Sequence, residues 1–202
     1  MTLRRLAPLG VLLLLLAGCS GDAEPTPDSS KAPVDTTVQA LIEGEWTLTR
    51  TVTESDDAAN PLHAVGAVST RAVLFGDVTC SNGPCEGGVL SGLDATTRDS
   101  TTFASSGNTI RYSFSGFVNC LRQDTGAVLV TNGYAYTADV ELTVATTDPA
   151  DERLAATLEG TLTYTDELTP EAIEAGCARE PASTTTVSAL SAVRAAPAAP
   201  AA

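Results

Sequence analysis

Histidine is nearly absent from this sequence: His63 is the only one, as Trp46 and Met1 are the only residues of their kinds. A single histidine leaves no Cys/His zinc set to assemble. His63 itself stands in "AANPLHAVGA", a turn-rich loop with no cysteine nearby, where it reads as a loop residue and not as a general base. The usual nucleophile elbow is missing, because "YSFSGF" and "VLSGL" both lack the leading glycine of G-x-S-x-G. "CEGGVLSG" carries no lysine and leads into no helix, which excludes a phosphate-cradling loop. Asp56 and Asp57 are not spaced as calcium ligands, and no carboxylate pair stands out for glycoside cleavage. The sequence therefore implies no enzyme, no metal and no cofactor. Basic residues are scarce as well, 11 against 25 acidic ones, for a net charge of −14. Such a surface repels nucleic acid and anionic headgroups. Beyond the N-terminus no stretch is long and apolar enough to cross a membrane.

What is present begins at that N-terminus. Arg4 and Arg5 precede an uncharged run from Leu6 to Gly18, the layout of an export signal. The run is short of the roughly 20 residues of a membrane-spanning helix. "LRRLAPLG" lacks the rest of a twin-arginine signal, so the general secretory route is expected. Leu16, Ala17, Gly18 and Cys19 resemble the lipobox of bacterial lipoproteins. That resemblance implies a diacylglyceryl group on the Cys19 thiol, cleavage before it, and acyl chains such as palmitate as the membrane anchor. Two or more chains hold a protein far better than one, at about 0.8 kcal/mol per buried CH₂. Residues 1–18 are then a signal peptide, and the mature protein sits on the extracytoplasmic face of the cell membrane. Its surface keeps every acidic residue and loses two basic ones, so contact with the membrane comes from the anchor alone.

Cysteine accounting agrees. Of five cysteines, Cys19 is assigned to lipid, which leaves Cys80, Cys85, Cys120 and Cys177. An even set in an oxidising compartment reads as two disulfides, with three possible connectivities. Cys80 and Cys85 flank the turn-forming "SNGP", so a local clip is the economical pairing and leaves Cys120 for Cys177. Loop closure makes the short clip worth about 2 kcal/mol and the long bridge about 4. The spacing is not C-x-x-C, and both bridges read as structural.

Residues 19–37 are rich in Pro, Ser, Asp and Thr and read as a disordered tether; 195–202, "AAPAAPAA", read as a disordered tail. Between them, 38–194 alternate with period two. "TIRYSFSGFVN" sets Ile110, Tyr112, Phe114 and Val118 against Arg111, Ser113, Ser115 and Asn119. "YAYTADVELTV" and "RLAATLEGTLTYT" alternate in the same way, as does "GEWTLTRTV", where Arg50 shares the face of Trp46 and needs a partner or a rim position. Further strands are expected near 68–79, 85–91, 99–105 and 183–194. One short helix is expected in "LTPEAIEAGC", capped by Thr169, with Pro170 in its first turn and Glu171 and Glu174 suited to its positive end. About eight strands joined mostly by short loops predict an all-β fold, an antiparallel up-and-down barrel with a short helix before the last strand; a β-sandwich is the alternative.

Gly44, Glu45 and Trp46 resemble the G-x-W of the first strand of lipocalins and related calycin barrels. The resemblance implies that Trp46 closes the barrel base under a basic side chain from the last strand, for which Arg194 is placed. "VQALIEGEW" departs from the family's first motif by lacking its asparagine and upstream aromatic, and the family's C-terminal helix has no counterpart here. Two functions follow. A barrel with space inside binds a small apolar ligand, with Tyr112, Phe114, Tyr134 and Tyr136 as candidate lining. A filled barrel is instead an interaction module presenting loops, above all 54–67, to another cell-envelope protein.

Overall fold

The computed structural model describes residues 42–195, apart from 58–59, 81–83, 93–97, 123 and 178–180. The expected signal, Cys19, the tether and most of the tail lie outside the described residues, as does most of the "SNGP" turn.

Eight strands follow one another: β1 (Gly44–Ser55), β2 (Val68–Cys80), β3 (Cys85–Gly92), β4 (Arg98–Ser106), β5 (Thr109–Leu121), β6 (Val128–Asp148), β7 (Asp151–Leu168) and β8 (Ser183–Arg194). Each pairs antiparallel with its neighbour in the chain, and β1 pairs with β8, so the sheet closes into a barrel and no sandwich forms. Alternation is the cause. Along β8, Thr184, Thr186, Ser188, Leu190 and Ala192 are buried while Thr185, Ala189 and Ser191 face solvent. Closure removes the open edges that such strands would otherwise leave.

β6 is longer than its alternating segment suggested, because bulges interrupt the pattern. The β5–β6 register shifts between Val118 and Cys120, and Asn132 opposite takes φ 57°, its N–H donating to Asn119 Oδ1 at 3.1 Å. A bulge turns a side chain out of phase, so period two no longer reads through. Further along, β6 and β7 approach so closely that a Cβ at Gly160 would run into the Glu141 carbonyl oxygen.

Helix α1 (Pro170–Glu174) stands between β7 and β8. The Thr169 hydroxyl accepts from the Ala172 N–H at 3.3 Å, and Gly176 at φ 83° follows its end. Both favoured disulfides are present. Cys80–Cys85 joins β2 to β3 with Cα atoms 4.1 Å apart, and Cys120–Cys177 ties β5 to the segment after α1 at 6.5 Å.

In an up-and-down barrel alternate connections share an end. Links β2–β3, β4–β5 and β6–β7 lie at one end with Gly44 and Arg194; the other four links lie at the opposite end. The first end is closed. Trp46, 1% exposed, donates its Nε1–H to the Ile42 carbonyl at 2.8 Å, and the Arg194 guanidinium lies 4.6 Å from the indole centroid. Above them Val73, Phe75, Val89, Phe103, Ile110, Leu142 and Leu158 fill the interior.

Candidate functional site

Toward the opposite end the inward faces change character. β8 runs from Leu190 and Ala192 to Ser188, Thr186 and Thr184; β1 passes from Trp46 and Leu48 to Arg50. Side chains here do not fill the barrel, and a cavity of about 310 Å³ remains. Leu48, Val140, Leu162 and Leu190 form apolar wall, joined by Phe114 and Ala138, while Arg50, Arg71, Asp99 and Ser91 bring polar groups to it. Three of the four candidate aromatics, Tyr112, Phe114 and Tyr136, line this space. Tyr134 does not. It pairs with Leu168 one step nearer the open end and packs against the cluster of Cys120, Leu168, Ala172 and Cys177, under α1.

The aromatics divide into two groups. Phe75, Phe103, Tyr112 and Phe114 meet edge to face, at 5.6 Å for Phe75–Phe103, 6.0 Å for Phe75–Tyr112 and 5.7 Å for Tyr112–Phe114. This chain links the packed core to the cavity floor. Nearer the mouth Tyr136 and Tyr164 stack at 5.8 Å, and His63 leans on Tyr164 at 5.2 Å. Ring pairs of this kind add about 0.5–1.5 kcal/mol beyond burial and hold their members in place.

His63 arrives from the β1–β2 connection. That segment is pinned at both ends, by Asp56 Oδ1 accepting from the Thr185 N–H at 2.6 Å and by the Gly66 N–H donating to the Val52 carbonyl at 2.9 Å. Between those points His63 Nδ1 lies 3.1 Å from Asp57 Oδ2, and each of the two side chains is 12% exposed. The composition of the loop predicts a surface histidine; the partners Asp57 and Tyr164 draw it inward, so His63 and Leu62 become part of the cavity wall.

Two donors in this wall stand out. Arg50 Nε donates to Ser188 Oγ at 2.9 Å, which supplies one partner, but its Nη2 is buried with no hydrogen-bond partner. Burial, and then the neighbouring positive charge of Arg71, hold the guanidinium pKa below its ordinary value. Tyr112, 6% exposed, likewise buries a hydroxyl with no partner. Desolvation raises its pKa far above the ordinary phenol value, so the group stays protonated and able to donate. β1 and β5 are four strands apart in either direction around the ring, which puts the two donors on facing walls.

Sequence reasoning placed Arg50 on the inner face but missed Arg71 and Asp99. Their signal was parity: Arg71 keeps step with Val73 and Phe75, and Asp99 with Phe103. The described residues contain no cluster of three or more His, Cys, Asp or Glu side chains able to hold a metal. Fold and site together define a closed, eight-stranded antiparallel barrel with a part-polar cavity at one end. No family model, no curated protein and no solved structure matches this chain.

Proposed function

We propose that the protein is a lipoprotein, anchored through acyl chains on Cys19 to the extracytoplasmic face of the cell membrane, whose barrel binds a small apolar ligand. The observation that carries the binding reading is the cavity of about 310 Å³ in the open half of the barrel. Small-molecule pockets span about 300–1,000 Å³, so this one suits a compact molecule. A mainly aliphatic and aromatic wall supplies the affinity, and the few polar groups set orientation. The basic start, apolar run and lipobox-like Leu16 to Cys19 support the anchor and the address.

Native mass spectrometry on protein expressed from its full gene tests the binding. The expected result is a bound small molecule of constant mass, lost when Ala138→Phe fills the cavity. Bare protein that takes up nothing from a cell lipid extract overturns it. For the anchor, Cys19→Ser should move the protein from the membrane fraction to the soluble extracytoplasmic fraction; an unchanged distribution overturns that part.

A second reading draws on exposed apolar side chains. Leu62, Val65, Val68, Phe117, Leu121 and Val128, each more than half exposed, all flank connections of the open end. Apolar side chains gathered at one end of a protein this acidic suit an interaction module. The partner would be another cell-envelope protein contacting the 54–67 loop. Crosslinking that depends on Leu62 and Val65, with the cavity empty, favours this reading over the first.

A further inference from the structure

We infer that the ligand is a compact monoanion, an apolar body ending in one carboxylate, and that the carboxylate is held between the Arg50 guanidinium and the Tyr112 hydroxyl. The inference rests on the cavity being a ligand site, as proposed above.

Unpartnered buried donors are rare in folded proteins, and each costs stability unless something accepts from it. Among the described residues two occur, Arg50 Nη2 and Tyr112 Oη, on residues that line the same cavity from facing strands. Ser188 Oγ takes the Arg50 Nε–H and leaves Nη2 without a partner. An acceptor-only group inside the cavity would satisfy both donors at once. A carboxylate matches the planar fork of a guanidinium, accepts from a phenol with its second oxygen, and donates nothing.

Charge points the same way. The protein carries 25 acidic residues against 11 basic ones, yet among the described residues its cavity is lined by Arg50 and Arg71 with Asp99 as the sole carboxylate. The surplus of one positive charge among these residues suits a monoanion. Other arginines are engaged elsewhere, Arg111 with Glu141, Arg153 with Asp151 and Arg194 with the Ala155 and Glu43 carbonyls. An acidic exterior slows the arrival of an anion, so selectivity here comes from the buried donors and not from steering.

Titration calorimetry on the full mature chain, carrying Cys19→Ser so that no detergent competes, uses octanoate, octanol and octylammonium as probes. Octanoate is expected to bind at least about tenfold more tightly than octanol, and octylammonium not at all, because a charge-assisted pair forms only with the anion. Arg50→Met should reduce the octanoate-over-octanol preference to about twofold or less, and Tyr112→Phe should reduce it by about three- to tenfold. Tyr112→Phe keeps the ring and its packing, so the test survives if Arg50→Met fails to fold. Octanol binding as tightly as octanoate overturns the head-group assignment and leaves the cavity reading standing. Failure of all three probes to bind overturns both.

Discussion

The two ends of this barrel each bury an arginine on the inner side of the sheet, and they use it in opposite ways. At the closed end Arg194 lies over Trp46, donates Nε–H to the Ala155 carbonyl at 2.8 Å and Nη1–H to the Glu43 carbonyl. Burial lowers its pKa, and Asp148 partly restores it. At the open end Arg50 has Ser188 for Nε but nothing for Nη2, and the positive charge of Arg71 adds to burial in lowering its pKa. One arginine is consumed by structure; the other is left with capacity to spare. Among the described residues, one end engages its arginine and the other leaves a donor open, an asymmetry that suits the proposed binding.

The largest expected effect is at the closed end. Trp46→Ala removes a side chain that is 1% exposed, its hydrogen bond to Ile42 and the surface under Arg194. Large-to-small changes of this kind cost about 3–5 kcal/mol, and these added contacts place this one near about 5. Tyr164→Ala at the mouth removes a half-buried ring stacked on Tyr136 and should cost less than about 2 kcal/mol. Urea unfolding measures both, and equal losses would erase the contrast between the ends.

The disulfides reverse that order. Replacing Cys120 and Cys177 by alanine opens a loop with a sequence separation of 57 and should cost about 4 kcal/mol, against about 2 for Cys80 and Cys85, whose separation is 5. The long bridge holds the open end, where the small cluster of Leu168, Ala172 and Tyr134 has little apolar area to hold α1 by itself. Thermal unfolding of the two double variants, with the other bridge intact, reads the difference. A larger loss from the closed-end clip would mean that packing, and not the crosslink, fixes the segment after α1.

Much of the architecture was legible because long parts of the strands alternate in one phase. β8 is the clearest case for bounds, which fall at 183–194 as expected, although its inward face carries Thr184, Thr186 and Ser188 while Val193 faces out. The Thr169 cap and the Cys80–Cys85 clip were equally local signals, and Cys120–Cys177 followed from the clip by elimination. Bulges set the limit. Once the register slips at Val118 and again at Val144, parity no longer says where a side chain points, and β6 extends beyond its readable core. The cavity was legible only in part. Parity puts Tyr134 and Tyr136 on one face, but α1 covers the first and not the second, and no alternation pattern encodes how a helix folds back. His63 was illegible for a related reason, since its burial depends on Tyr164, a partner a hundred residues away.

The smallest effect is the sharpest test of the contrast. Arg194→Met removes two hydrogen bonds to backbone carbonyls and a cation over an indole, leaving the carbonyl of buried Ala155 without its partner; a loss of about 1–3 kcal/mol is expected. Arg50→Met in the empty protein removes one hydrogen bond to Ser188 but also a partly buried charge, an unpartnered donor and a like-charge neighbour. Those terms oppose one another, and replacing an unsatisfied polar group by an apolar one of similar length is often neutral or stabilising. The urea midpoint of Arg50→Met should therefore match or exceed that of the wild type, within about 1 kcal/mol, while that of Arg194→Met falls. Raising the salt concentration narrows the gain, because part of it comes from relieving repulsion by exposed Arg71. If Arg50→Met instead loses as much as Arg194→Met, then Arg50 is a second structural arginine and the open end was never free to bind.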